Sequence, residues 1–203
     1  RVRGEYAPGE MMCDVKMGEN CQRKARLVAD GHKTRTPASL THSSVVSRDS
    51  VRIALTIAAL NDLDIMACDI QNAYLTAECR ERVWMVAGPE FGSEVGQVMI
   101  VRKALHGLKS SGAAFRAHLA ETLDAMGYRP SCADPDVWLR PAVKPDGFEH
   151  YEHILCYVDD VLSISHDPTN SMMRIQTDFQ PKYDKIPPPD ECLAPTIVKM
   201  TTR

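Results

Sequence analysis

Apolar positions along this chain switch between two spacings. Alternation with polar residues marks half-buried strands, and recurrence at i, i+3 and i+4 marks amphipathic helices. Cys13–Met17 and Arg23–Ala29 read as strands on either side of Gly18-Glu19-Asn20, which predicts a basic hairpin. Gly31 to Ser44 is polar and proline-containing, an extended loop. Val51, Ala54, Leu55, Ala58 and Ala59 then recur at helical spacing behind Ser47, a good N-cap, and Asn61-Asp62 closes that helix. Asp64 to Ile70 alternates as a strand with Ile65, Ala67 and Asp69 on one face. Val83–Val86 and Val98–Val101 are short strands around the turn-forming stretch from Gly88 to Gly96.

After Ser111-Gly112, the stripe Phe115, Leu119, Leu123 and Met126 predicts a helix ended by Gly127. Asp136–Arg140 reads as a strand and Pro141–Gly147 as a loop. Met172, Ile175 and Phe179 suggest a last helix, Pro187-Pro188-Pro189 a break, and Thr196–Met200 a final strand. This order predicts an α+β architecture with helices on one face of a mainly antiparallel sheet.

Between two apolar runs, Ile154-Leu155-Cys156 and Val161–Ser165, lies Tyr157-Val158-Asp159-Asp160. The pattern is a hairpin with adjacent aspartates at its bend. Two carboxylates flanked by buried strands are costly unless their charge is compensated. A divalent cation would do that, which narrows the chemistry to metal-assisted phosphoryl or nucleotidyl transfer. That chemistry needs carboxylates from separate strands, and Asp69, leaving its own strand at Ile70-Gln71-Asn72-Ala73-Tyr74, is the natural second arm.

Composition narrows the picture further. The chain has 203 residues, 44% of them hydrophobic, enough for a real core. The longest apolar stretch, Ile53 to Leu60, is interrupted by Thr56 and falls well short of the ~18 residues of a membrane span. No membrane partner is expected. The start lacks both Met and an apolar leader, which suggests a piece cut from a longer product. The seven cysteines include no Cys-x-x-Cys pair, which argues against zinc and for a reducing compartment. Net charge is −3, yet Cys21–Thr36 carries Arg23, Lys24, Arg26, Lys33 and Arg35 against Asp30 alone, a local +4 that suits phosphates. Trp84 and Trp138 read as core residues, with base stacking the alternative for Trp84.

Six ordered blocks carry a family likeness. They are Lys24–Gly31; Ser44-Val45-Val46 with Ser50-Val51-Arg52; Asp69–Leu75; Ala104–Ser111; Ala133-Asp134-Pro135-Asp136; and Tyr157–Asp160. In this order the chain resembles the reverse transcriptase of copia-type (pseudovirus) LTR retrotransposons, from about Cys13 to Met200. The resemblance implies a reverse-transcriptase-like palm plus partial fingers. Residues 1–60 would be the fingers-like segment and 61–203 the palm-like one, in one continuous unit, with thumb and RNase H regions absent.

It also implies an RNA-directed DNA polymerase of a Pol polyprotein, using two Mg²⁺ ions, with Mn²⁺ able to substitute. Asp69 and Asp159 would ligate the metals with help from Asp160 and the backbone carbonyl of Ile70. Lys24 and Arg26 would neutralise an incoming deoxynucleoside triphosphate, Tyr74 would exclude a ribose 2′-OH, and Ser110 would lie near the nucleotide. Implied partners are an RNA or DNA template with its primer and the rest of the polyprotein. The implied location is cytoplasmic, in virus-like particles, with nuclear access later in the cycle.

Some positions depart from the family pattern. Ser110-Ser111-Gly112-Ala113 with Phe115 stands where relatives carry Gln, then Ser-Pro-Arg, and Trp; Pro195 and His106 also differ. The expected absence of a thumb, Pro195 and the Ser110 substitution motivate an alternative, a catalytically inactive or domesticated relic that only binds nucleic acid.

Overall fold

The computed structural model describes residues 4–16, 22–35, 37, 41–179 and 197–200. The turn expected at Gly18–Asn20, the three prolines and Pro195 lie outside the described residues. The elements are β1 (Glu5–Tyr6), β2 (Gly9–Lys16), β3 (Gln22–Ala29), α1 (Arg48–Leu60), β4 (Asp64–Asp69), α2 (Ala73–Thr76), β5 (Val83–Val86) and β6 (Val98–Ile100). They continue as α3 (Ser111–Ala125), β7 (Arg129–Pro130), β8 (Val137–Val143), β9 (Glu149–Tyr157), β10 (Asp160–Ser165), α4 (Thr169–Asp178) and β11 (Ile197–Met200). The α+β class holds.

By packing, the chain forms two compact units that interleave in sequence. One is Arg1–Ser43 with Tyr74–Phe115; the other is Ser44–Ala73 with Arg116–Arg203. The expected division at residue 60 follows sequence order, whereas the packing puts α1 in the second unit and residues 74–115 in the first.

The first unit contains the expected hairpin, β2 paired antiparallel to β3, and a separate sheet ordered β1-β5-β6. Ala7, Ala29, Val83, Met85, Val101 and Leu108 form its core. Two of the sequence blocks meet here. The Ala29 N–H donates to the His106 carbonyl at 2.8 Å. Gly107 has φ +90°, and a Cβ there would lie 2.0 Å from the Ala29 oxygen. Only glycine fits so close a backbone approach at that φ.

The second unit is built on a six-stranded sheet ordered β11-β4-β10-β9-β8-β7, antiparallel throughout. The Ser47 hydroxyl caps α1 by accepting from the Ser50 N–H at 3.1 Å. The Asp134 carboxylate fixes that cap, accepting from the Ser47 N–H (2.9 Å) and the Ser50 hydroxyl (2.6 Å). At the end of α3, Gly127 has φ +88° and the Tyr128 N–H donates to the Leu123 carbonyl, the left-handed closure its position predicts.

Two expectations are corrected. Helices lie on both faces of the sheet. Ala54 and Ala58 of α1 pack with Ile65, Leu155 and Ile164. The neighbouring residues Glu152 and Ser165 point the other way, where the Tyr128 hydroxyl joins Glu152 to Ser171 of α4. The reason is that β4 is buried on both sides, at Met66 and Cys68 as well as Ile65.

Pro141, expected in a loop, lies within β8 opposite Tyr151. The neighbouring β7 pairs only with Trp138 and Leu139, so β8 is an edge at Pro141 and its missing N–H leaves no ladder bond unmade.

Candidate active site

The three aspartates meet at one end of the second unit's central strands. β4 ends on Asp69, whose register partner on β10 is Asp160. Asp160 also pairs with Tyr157, so Val158 and Asp159 form a two-residue bend. The Ile70 N–H donates to the Asp159 carbonyl at 2.9 Å, which ties the bend to the strand carrying Asp69. All three carboxylates are exposed, while Ile70, Cys68 and Cys156 beside them are buried. Buried apolar strands thus fix the backbone from which the carboxylates project. Val158 has φ +54°, an unfavourable conformation for a β-branched residue.

Among the described residues, no ion pair joins a Lys or Arg to Asp69, Asp159 or Asp160. Partial burial, then the charges of Asp159 and Asp69, hold the Asp160 carboxyl above the ordinary carboxylate value. Burial, reinforced by Asp69 and Asp160, pushes the Cys68 thiol up to about 11, so it stays protonated. A cavity of about 370 Å³ adjoins the carboxylates, with Ala67, Leu155 and Leu162 among its apolar lining and Asp69 and Asp160 in its wall. The donor set of hard carboxylate oxygens with mutual repulsion fits a divalent cation such as Mg²⁺. Among the described residues, no three side chains are drawn close enough to coordinate one ion.

The remaining expected residues lie in the first unit. Lys24 and Arg26 stand on β3 opposite Asp14 and Met12, and Arg26 is exposed. Tyr74, on α2, is half-buried, its ring 4.7 Å from His106 and edge-on to Phe115 at 6.2 Å. Ser110 departs from expectation. It is 2% exposed and its hydroxyl donates to the Glu81 carboxylate, so its side chain is not offered to a nucleotide. Lys109 is likewise engaged, donating to the Thr34 carbonyl at 2.6 Å.

Sequence reading noticed Asp134 and Asp136 without finding their work. Asp134 holds the α1 cap, and the buried Asp136 accepts from Arg116 of α3 at 2.7 Å. It missed the polar cluster in which Glu152 accepts from Arg140, Tyr128 and Ser165. A glutamate two residues before the apolar run Ile154-Leu155-Cys156, on the same strand, was the signal that could have found it.

This geometry sits within a wider sequence likeness. The profile of a family described as reverse transcriptase (RNA-dependent DNA polymerase) matches residues 13–185. The chain belongs to the reverse transcriptase family. It is 33% identical over 150 residues to the Retrovirus-related Pol polyprotein from transposon RE1 of Arabidopsis thaliana, covering 72% of this chain and 10% of that protein. Against the corresponding polyprotein from transposon RE2 of the same plant, identity is 30% over 148 residues, 71% of this chain and 10% of the relative. Against that from transposon TNT 1-94 of Nicotiana tabacum it is 25% over 185 residues, 88% and 14%.

The copia-type reverse transcriptase expected from the motifs is borne out. This reverse transcriptase domain spans about a tenth of the length of those first two polyproteins. Among the described residues, none of its helices is long and apolar enough to cross a membrane.

Proposed function

We propose that this chain is the palm and partial fingers of an RNA-directed DNA polymerase, part of a retrotransposon Pol polyprotein. It would add deoxynucleotides to a primer 3′-OH on an RNA or DNA template. The observation that carries this reading is Asp69 held opposite Asp160, with Asp159 bonded through its backbone to Ile70, in a chain of this family. The first unit, bearing β2 and β3, corresponds to fingers, and the second, bearing the aspartates, to palm.

In this reading Asp69 and Asp159 hold two divalent ions, Asp160 assists, and the Ile70 carbonyl adds a hard ligand. The bound ions, Mg²⁺ or Mn²⁺, would supply Lewis acidity at the reacting phosphate and lower the pKa of the primer hydroxyl. The chain's own contribution is positioning. The sheet fixes where the carboxylates start, and the bond between Ile70 and Asp159 fixes the bend. Lys24 and Arg26 neutralise the triphosphate, and Tyr74 discriminates against a 2′-OH. His106 and Phe115 pack the Tyr74 ring and restrict its rotation.

Single-nucleotide incorporation tests this reading. The reading requires that Asp69→Asn abolish incorporation and that Tyr74→Val raise ribonucleotide incorporation relative to deoxynucleotide. Activity indifferent to Asp69 would refute it.

One observation favours a second reading, a relic that only binds nucleic acid: the commitment of Ser110 to Glu81 where relatives have a nucleotide-contacting block. Primer-template affinity unchanged in Asp159→Ala, in a chain that incorporates nothing, would support the relic. Loss of binding in that variant would count against it.

A further inference from the structure

The β1-β5-β6 sheet of the first unit has two unlike faces. One sends Val83, Met85 and Val101 into the core. On the other, strand register sets Tyr6 and Ile100 beside Trp84, and Val98 beside Val86. This outer face is apolar and open: Tyr6 is 47% exposed, Val98 48% and Ile100 59%. The Tyr6 and Trp84 rings stand 4.8 Å apart, and the indole N–H donates to the Gly4 carbonyl at 3.3 Å, which fixes the Trp84 ring.

Strand alternation carries the same face on to Arg82 and Arg102, both exposed. The Val101 N–H donates to the Val83 carbonyl at 3.0 Å, so β5 and β6 remain paired at that end. An aromatic strip therefore runs into two guanidinium groups.

Charge identifies the class of occupant. The unit bearing this face has 13 Lys and Arg against 9 Asp and Glu, a net +4. The other unit has 11 against 18, a net −7. The modest charge of the whole chain hides this asymmetry, and an anionic partner is drawn to the first unit.

We propose that this face binds single-stranded nucleic acid, with bases stacked on Tyr6 and Trp84 and phosphates held by Arg82 and Arg102. Every base has a π-face, so aromatic stacking accepts any sequence, and cations beside the aromatics track the backbone. Arginine suits the phosphates because its fork can donate two bonds to one group. The identification of the strand as unpaired template rests on the polymerase reading; the binding itself does not.

The test titrates the full chain into labelled 12-nucleotide oligo(dT) and oligo(U), followed by anisotropy at several salt concentrations. Trp84→Ala and Tyr6→Ala should each weaken binding about tenfold, while Trp84→Phe stays within about threefold of the parent. Replacing Arg82 and Arg102 together by alanine should flatten the slope of log K against log salt by about 1.4. Oligonucleotide should quench tryptophan fluorescence in the parent and not in Trp84→Ala, where the buried Trp138 is the remaining tryptophan.

Equal affinity in the aromatic variants overturns the proposal. Should those variants unfold, the arginine pair decides, because both side chains are exposed; an unchanged salt slope overturns it. Self-association abolished by Trp84→Ala, with oligonucleotide affinity unaltered, would assign the face to a second copy instead. Trp84-dependent binding without primer extension would be a failure of the polymerase reading alone. Extension with Trp84-independent binding would be a failure of this inference alone.

Discussion

The backbone N–H of Ile70 donates to the carbonyl oxygen of Asp159 at 2.9 Å. One hydrogen bond thus links the residue after the first candidate metal ligand to the second. It forms where β4 ends and where the β9–β10 bend passes into β10, so the two acidic segments are set by the same register that pairs Asp69 with Asp160.

Crowding of these carboxylates makes stability depend on pH at Asp160. Burial and the charges of Asp159 and Asp69 raise its pKa in the folded chain. The native state therefore holds this proton more tightly than the unfolded state does. Asp160 destabilises the fold as pH rises above the ordinary carboxylate value, and the penalty is complete above its raised folded pKa. Asp160→Asn should raise the melting temperature at pH 7, with the gain vanishing as pH falls below the ordinary carboxylate value. Added Mg²⁺ should narrow the difference at pH 7. Melting curves across that range would contradict this if the gain were independent of pH.

Val158 holds φ +54° at the bend. A β-branched side chain there costs roughly 1–2 kcal/mol, and asparagine tolerates the conformation better. Val158→Asn should therefore raise the urea midpoint, corresponding to about 1 kcal/mol of added stability. A lowered midpoint would mean that Val158 packing outweighs its backbone strain.

Gly107 and Gly147 share nearly the same backbone, φ +90° and +88°, in different surroundings. A Cβ at Gly107 meets the Ala29 oxygen at 2.0 Å, whereas one at Gly147 meets nothing within 4 Å. Gly147→Ala should cost about 1 kcal/mol, from the backbone alone. Gly107→Ala should cost at least about 3 kcal/mol, because backbone must move as well. Chemical denaturation of the pair isolates the close approach, and equal losses would disprove it.

Asp136 is buried, and its Oδ1 accepts from Arg116 at 2.7 Å. Removing the cation leaves a buried carboxylate alone, so Arg116→Ala should cost about 3–5 kcal/mol. Removing both partners should cost less than removing Arg116 alone, which a double-mutant cycle measures. Additive losses would show that the pair is not coupled.

Much of the fold was legible because its signals are local. Ser47 announces α1, Phe115, Leu119 and Leu123 mark the buried stripe of α3, and the paired aspartates mark the bend. What escaped depends on distant partners. Burial of β4 on both sides gives its sequence no preferred face, so the placement of α1 opposite α4 could not be read from alternation. Pro141 can occupy a strand because β7 is too short to reach it. Ser110 looked available until Glu81, far away in sequence, claimed its hydroxyl. The aspartates were found because two are adjacent and the third lies in a recognisable block; Asp136 needed Arg116 in space to explain it.

The most direct test of the central claim is primer extension on an RNA template with Mg²⁺ and deoxynucleotides, comparing this chain with Asp159→Asn. Primer-template affinity is measured in parallel. The account predicts that the chain extends the primer, that Asp159→Asn abolishes extension, and that both bind the duplex alike. Equal extension by the two proteins, or a parent chain that binds the duplex and adds nothing, would contradict it.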